Sequence, residues 1–97
     1  MTHYILLTNW TEQGIRNVKD SPKRLDAARA LAKKHGAEMK DMYLTMGDFD
    51  LVVHLEAPND EAVAKFILEL SSAGNVRTKT LKAFPESDYR KIIGSLA

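Results

Sequence analysis

Hydrophobic and polar positions change period along the chain, and the changes mark its elements. Tyr4 to Trp10 is rich in β-favouring residues with apolar side chains on both faces, which predicts a strand covered on both sides and therefore central. From Thr11 to His35 the period becomes helical, with Ile15, Val18, Leu25, Ala28, Leu31 and Ala32 on one stripe. Asp20-Ser21-Pro22 interrupts it, because the residue before proline avoids the helical region and serine ahead of proline reads as an N-cap. The reading is a short helical turn, then a main helix from Pro22 to about His35. Lys33 and Lys34 suit the electronegative end of its dipole, and Gly36 suits a left-handed cap.

Two alternating runs between Met39 and Glu56 flank Gly47-Asp48, a glycine-first pair that fits a two-residue hairpin turn. That turn pairs Met46 with Phe49, Leu44 with Leu51 and Met42 with Val53 on one side of the sheet. On the other it pairs Thr45 with Asp50, Tyr43 with Val52 and Asp41 with His54. The first side is apolar and the second mixed, and a one-residue slip would exchange them. Ala57-Pro58-Asn59 ends the strand and caps a second helix, with Asp60 and Glu61 at its electropositive start and Val63, Phe66, Ile67 and Leu70 on its buried stripe. Gly74 closes that helix. Asn75 to Phe84 alternates as a fourth strand, Pro85 stops it, and a terminal helix follows with Tyr89, Ile92, Ile93 and Leu96 on one face.

The order strand, helix, strand, strand, helix, strand, helix is the split βαβ pattern. It predicts an α+β, ferredoxin-like fold (βαββαβ plus a C-terminal helix) with a four-stranded antiparallel sheet and its helices on one face. The other face is then bare, yet it carries either Tyr4 and Leu6 or Ile5 and Leu7, together with Tyr43 and Val52. An apolar patch of that size marks an interface or a binding surface, so the chain is expected to associate with copies of itself as a homodimer or higher oligomer.

Length and composition narrow the picture. The 97 residues make one domain, 1–97, because a second core would leave both too small. There is no cysteine, which removes disulfides, thiolate metal sites and thiol nucleophiles. A net charge of +1 supplies no long-range field for nucleic acid or an anionic membrane. No apolar run approaches the ~20 residues that span a bilayer, and Met1-Thr2-His3 has no signal-peptide character, so a cytoplasmic domain is expected.

The stretch Leu44-Thr45-Met46-Gly47-Asp48-Phe49-Asp50-Leu51-Val52 resembles the signature of the GYD-domain family. Gly14-Ile15, Ser21-Pro22-Lys23-Arg24, Gly74-Asn75-Val76-Arg77-Thr78 and Ala83-Phe84 are similar to its pattern too, so the likeness spans nearly the whole chain. Phe49 stands where the family typically has tyrosine, which removes a phenol. The resemblance implies the dimeric α/β-barrel variety of the fold and implies no activity. The Gly-Asp-Phe-Asp hairpin also resembles that of the ligand-sensing domain in leucine- and asparagine-responsive transcription regulators, where small effectors bind at subunit interfaces.

Candidate chemistry is sparse. Asp41 and His54, opposed across the hairpin at ~5 Å between Cβ atoms, are the best acid–base pair, with a surface cross-strand pair as the bland alternative. Asp50 shares their face but lies ~13 Å from His54 along the strand, and it suits capping of nearby amides. Asn9 and Trp10, which with a histidine could serve a cofactor-free oxygenase, are adjacent on a strand and point to opposite faces. His3, His35 and His54 show no metal-ligand spacing, no cofactor loop is present, and Arg77, Lys79 and Lys82 form a modest basic edge. RNA-binding modules of this fold stack bases on central-strand aromatics that Val52 and His54 do not supply. The leading expectation is small-molecule binding between the open sheet face and a second subunit, lined by Tyr4, Leu6, Tyr43, Val52, His54 and Asp50. The alternatives are an oxygenase or isomerase using His54 with Asp41, and a purely structural oligomerisation module.

Overall fold

In the computed structural model, described over residues 1–96, the chain runs β1 (Thr2–Trp10), α1 (Glu12–Arg16), a 3₁₀ turn (Val18–Asp20), α2 (Ser21–Lys34), β2 (Glu38–Leu44), β3 (Leu51–Ala57), α3 (Asp60–Ser72), β4 (Val76–Ala83) and α4 (Glu86–Gly94). The strands form one sheet in the order β2-β3-β1-β4, and every neighbouring pair is antiparallel. The long, doubly apolar β1 is central, as its composition predicts. Gly36 takes a left-handed φ of 77° and closes α2. Asn59 caps α3, its side chain accepting from the Ala62 N–H at 2.9 Å. Ser21 is not a cap: the 3₁₀ turn runs straight into α2, so Ser21 is itself helical at φ −54° and ψ −41°.

The parity left open for β1 is decided by its pairing with β3. Tyr4, Leu6 and Thr8 lie beside Leu55, Val53 and Leu51 and turn to the helices. There Tyr4, Leu6, Val53 and Leu55 pack with Ala32 of α2 and with Val63 and Phe66 of α3 to form the core. Ile5 and Leu7 take the opposite face, beside His54 and Val52.

The β2–β3 register is the one the hairpin pattern predicts from Leu44–Leu51 through Asp41–His54. Two features depart from expectation. The strands stop at Leu44 and Leu51, so a six-residue connection replaces the tight turn, and Met46 and Phe49 are not a ladder pair. Thr45 N–H still donates to the Asp50 carbonyl at 2.8 Å, but the Asp50 N–H turns away to the Thr8 carbonyl and Asn9 Oδ1, both at 3.0 Å. Further along, a register shift between Met39 and Asp41 leaves Lys40 as an extra residue in β2. The bulge lets Met39 and Met42 share the helix-facing side although they are three positions apart.

α4 lies apart from this core. None of its residues is buried, and Tyr89, Ile92 and Ile93 are 57%, 44% and 50% exposed. The projecting helix contributes to extents of 52 × 30 × 17 Å.

Candidate functional site

The open face of the sheet is built in rows by the two registers around β1. One row is Tyr43, Val52, Leu7 and Lys79; the next is Asp41, His54, Ile5 and Leu81; beyond it lie Glu38, Glu56, His3 and Ala83. The face is turned away from α2 and α3, and Tyr43 and Leu81 are 62% and 49% exposed. Phe49, from the connecting loop, lies over the same face with the Lys79 ammonium 5.8 Å from its ring centre. The result is an apolar patch of Ile5, Leu7, Tyr43, Val52 and Leu81 beside a polar strip.

The polar strip is a linked series. His54 Nδ1 stands 3.6 Å from Asp41 Oδ2, the partner that the hairpin register predicts. On its other side His54 Nε2 meets His3 Nδ1 at 3.0 Å, with the two rings stacked at 5.2 Å between centres. His3 Nε2 lies 3.6 Å from Glu56 Oε1, and Glu56 Oε2 lies 3.3 Å from Lys40 Nζ. The imidazole–imidazole hydrogen bond needs one ring to donate and the other to accept, so a single proton sits between them. The Lys40 ammonium holds the Glu56 carboxyl below the ordinary glutamate range and is itself raised by that contact. Such a series can present or pass a proton, but in one chain it is open to water, where charge stabilisation is weak.

Of the residues expected at the site, Tyr43, Val52 and His54 stand together on this face with Asp41. Tyr4 and Leu6 do not. They are 3% and 2% exposed on the opposite side, because β1 pairs with β3 in the register that turns its even-numbered residues inward. Tyr4 donates its hydroxyl to Asp60, which also lies 3.3 Å from Lys82 Nζ. Burial first, and then the Asp60 carboxylate, raise the phenol above its usual range. Asp50 is engaged in structure, its Oδ2 accepting the Trp10 N–H at 3.0 Å. Asn9 faces the open side and Trp10 the helices, as strand alternation requires. Sequence reading missed His3, Glu56 and Lys40. The spacing of Met39 and Met42 was a signal for the bulge that brings Lys40 round to Glu56, whereas His3 meets His54 only through the β1–β3 register, which no turn announces. Among the described residues no group of three or more His, Asp or Glu is placed to hold a metal ion, and no helix is long and apolar enough to cross a membrane.

A second concavity lies on the other side of the sheet. It is a cleft of about 340 Å³ between α2, α3 and the helix-facing strands, with Leu6, Thr8, Trp10, Leu25, Met42 and Val53 among its walls.

The strand order, with α2 and α3 on one face, defines a ferredoxin-like α+β domain, and solved structures share that fold. The crystal structure of MtbAldR superposes with a TM-score of 0.66 at 15% identity over 86% of this chain, which spans about half (51%) of that one. The crystal structure of FFRP-DM1 superposes with a TM-score of 0.61 at 20% identity, over 87% of this chain and 100% of that one. The chain belongs to the GYD-domain family, whose model matches residues 4–93. It is 32% identical over 89 residues to the "glutamine synthetase and cystathionine beta-lyase binding protein" of Thermus thermophilus, covering 91% of this chain and 94% of that protein.

Proposed function

We propose that this chain is a protein-binding module that first assembles with copies of itself through the open face of its sheet. One observation carries the reading: Ile5, Leu7, Tyr43, Val52 and Leu81 form a continuous apolar patch on the face away from α2 and α3, with Tyr43 and Leu81 well exposed. Pairing two such faces removes it from water. The exposed apolar side of α4 then adds a surface at the edge of the assembly for a further protein. The name of the Thermus thermophilus relative, which binds two enzymes, supports the same class of role.

The test is native mass spectrometry of the wild type and of Val52→Glu, followed by capture on immobilised glutamine synthetase and cystathionine β-lyase from the same source. The wild type should be a dimer or larger, and should be retained by one of the enzymes. Val52→Glu should be monomeric, since it places a carboxylate in the middle of the patch. A monomeric wild type, or an unchanged mass in Val52→Glu, defeats the reading.

A second reading rests on the polar strip. Asp41, His54, His3 and Glu56 beside apolar Tyr43 and Val52 offer directional groups that a solidly packed interface does not require, and they suit a small molecule held between subunits. The same spectra distinguish the two readings. A stoichiometric added mass that disappears in His54→Ala supports the small molecule, and a clean multimer counts against it.

A further inference from the structure

The cleft between the helices and the sheet is separate from the open face, although the same strands wall both. Leu6, Thr8 and Val53 look into it, while the residues between them, Ile5, Leu7 and Val52, look the other way. Its walls are almost wholly apolar, and the charged groups at its edge are already engaged. Arg24 donates to the carbonyls of Asn17 at 2.8 Å and Gly14 at 3.0 Å. Glu69 accepts from His35 at 2.9 Å, and Asn75 Oδ1 accepts from Gln13 at 3.0 Å. Thr8, 5% exposed in the cleft wall, is the one buried polar residue among those described. Glu69 is paired, whereas the bonds of Arg24 go to neutral carbonyls and leave its charge at the cleft's edge, with apolar walls behind it.

Size narrows the occupant further. A cleft of about 340 Å³ lies at the small end of the ~300–1,000 Å³ range of ligand pockets. That suits a fused-ring aromatic or a medium-length aliphatic group, whereas a helix, about 10–12 Å across, does not fit. Water is a poor tenant for walls that offer it so few partners. We propose that this cleft is a binding site for one apolar small molecule per chain, with Thr8 available for a single hydrogen bond.

Titration with N-phenyl-1-naphthylamine, a neutral dye that brightens in apolar surroundings, tests the proposal on the intact chain. Fluorescence should saturate at one dye per chain. In methyl NMR spectra of the wild type, Leu6, Leu25, Leu51 and Val53 should shift while Ile5 and Leu7 stay put. Ala28→Phe, which sets a ring into the cleft from α2, should weaken binding about tenfold or more. Lys65→Ala, on the exposed side of α3 and outside the cleft, should leave it unchanged. Non-saturating fluorescence, or shifts confined to Ile5, Leu7 and Val52, would overturn the proposal. So would binding lost in Lys65→Ala yet kept in Ala28→Phe. Should Ala28→Phe fail to fold, the wild-type methyl map decides alone.

Discussion

At Gly14 an added methyl group would sit 2.0 Å from the Asn75 carbonyl oxygen and 2.9 Å from its carbon. All the obstructing atoms are backbone, so no change of rotamer relieves them. Nor can α1 slide away cheaply, because the Gly14 N–H donates to Thr11 Oγ1 and its carbonyl accepts from Arg24. Asn75 is fixed in turn, its carbonyl accepting the Thr11 N–H at 3.0 Å. Gly14→Ala should therefore cost about 1–3 kcal/mol of unfolding free energy, the range of an overpacked site, read as a lowered urea midpoint at unchanged slope. An unaltered midpoint would mean that the junction between α1 and the start of β4 yields. Gly47 makes the contrast: its φ of 130° suits glycine, but nothing lies within 4 Å of the missing methyl. Its role is in the path of the chain and involves no packing.

The hairpin shows, at the scale of elements, what was legible in the sequence and what was not. Alternation in two neighbouring runs fixes which residues face each other, so Asp41–His54, Tyr43–Val52 and Leu44–Leu51 could be paired from the pattern alone. The end of the hairpin could not, because Asp50 leaves the ladder to bind β1. Its carboxylate takes the Trp10 N–H while its own N–H goes to Thr8 and Asn9. That is a contact some forty residues distant in sequence, and no local rule signals it. The same reason hid the parity of β1. Tyr4, Leu6 and Thr8 are hardly more apolar than Ile5, Leu7 and Asn9, so only the register with β3 selects the buried set. Of the residues expected together, Tyr43, Val52 and His54 do share the open face, while His3 and Glu56 waited on the assembled sheet. Asp50→Ala should free the Trp10 amide and loosen the 45–50 connection at a cost of about 1–3 kcal/mol. Amide hydrogen exchange is expected to accelerate at Trp10 and Thr45 and to stay slow at Leu55. Uniform protection would show that Asp50 does not hold the two strands.

Across the whole molecule, the two faces of one sheet have different tasks. The inner face carries the core and the apolar cleft, and the outer face carries the apolar patch and the polar strip. Since side chains alternate along each strand, substitutions on the sheet can address one face without touching the other. α4 belongs to neither face. It has nine residues, it buries none of them, and it is shorter than the ~12–15 residues that an isolated helix needs to persist in water. Its coil-to-helix equilibrium is then open to whatever it meets outside its own domain. Under the proposed assembly, far-UV ellipticity should fall on dilution as subunits part and the terminal segment melts, while the signal of the sheet is retained. Ellipticity per residue that is constant across the concentration range would exclude that coupling. Under that assembly α4 would act as a built-in gauge of occupancy, ordered when a neighbour is present and fluid when it is not.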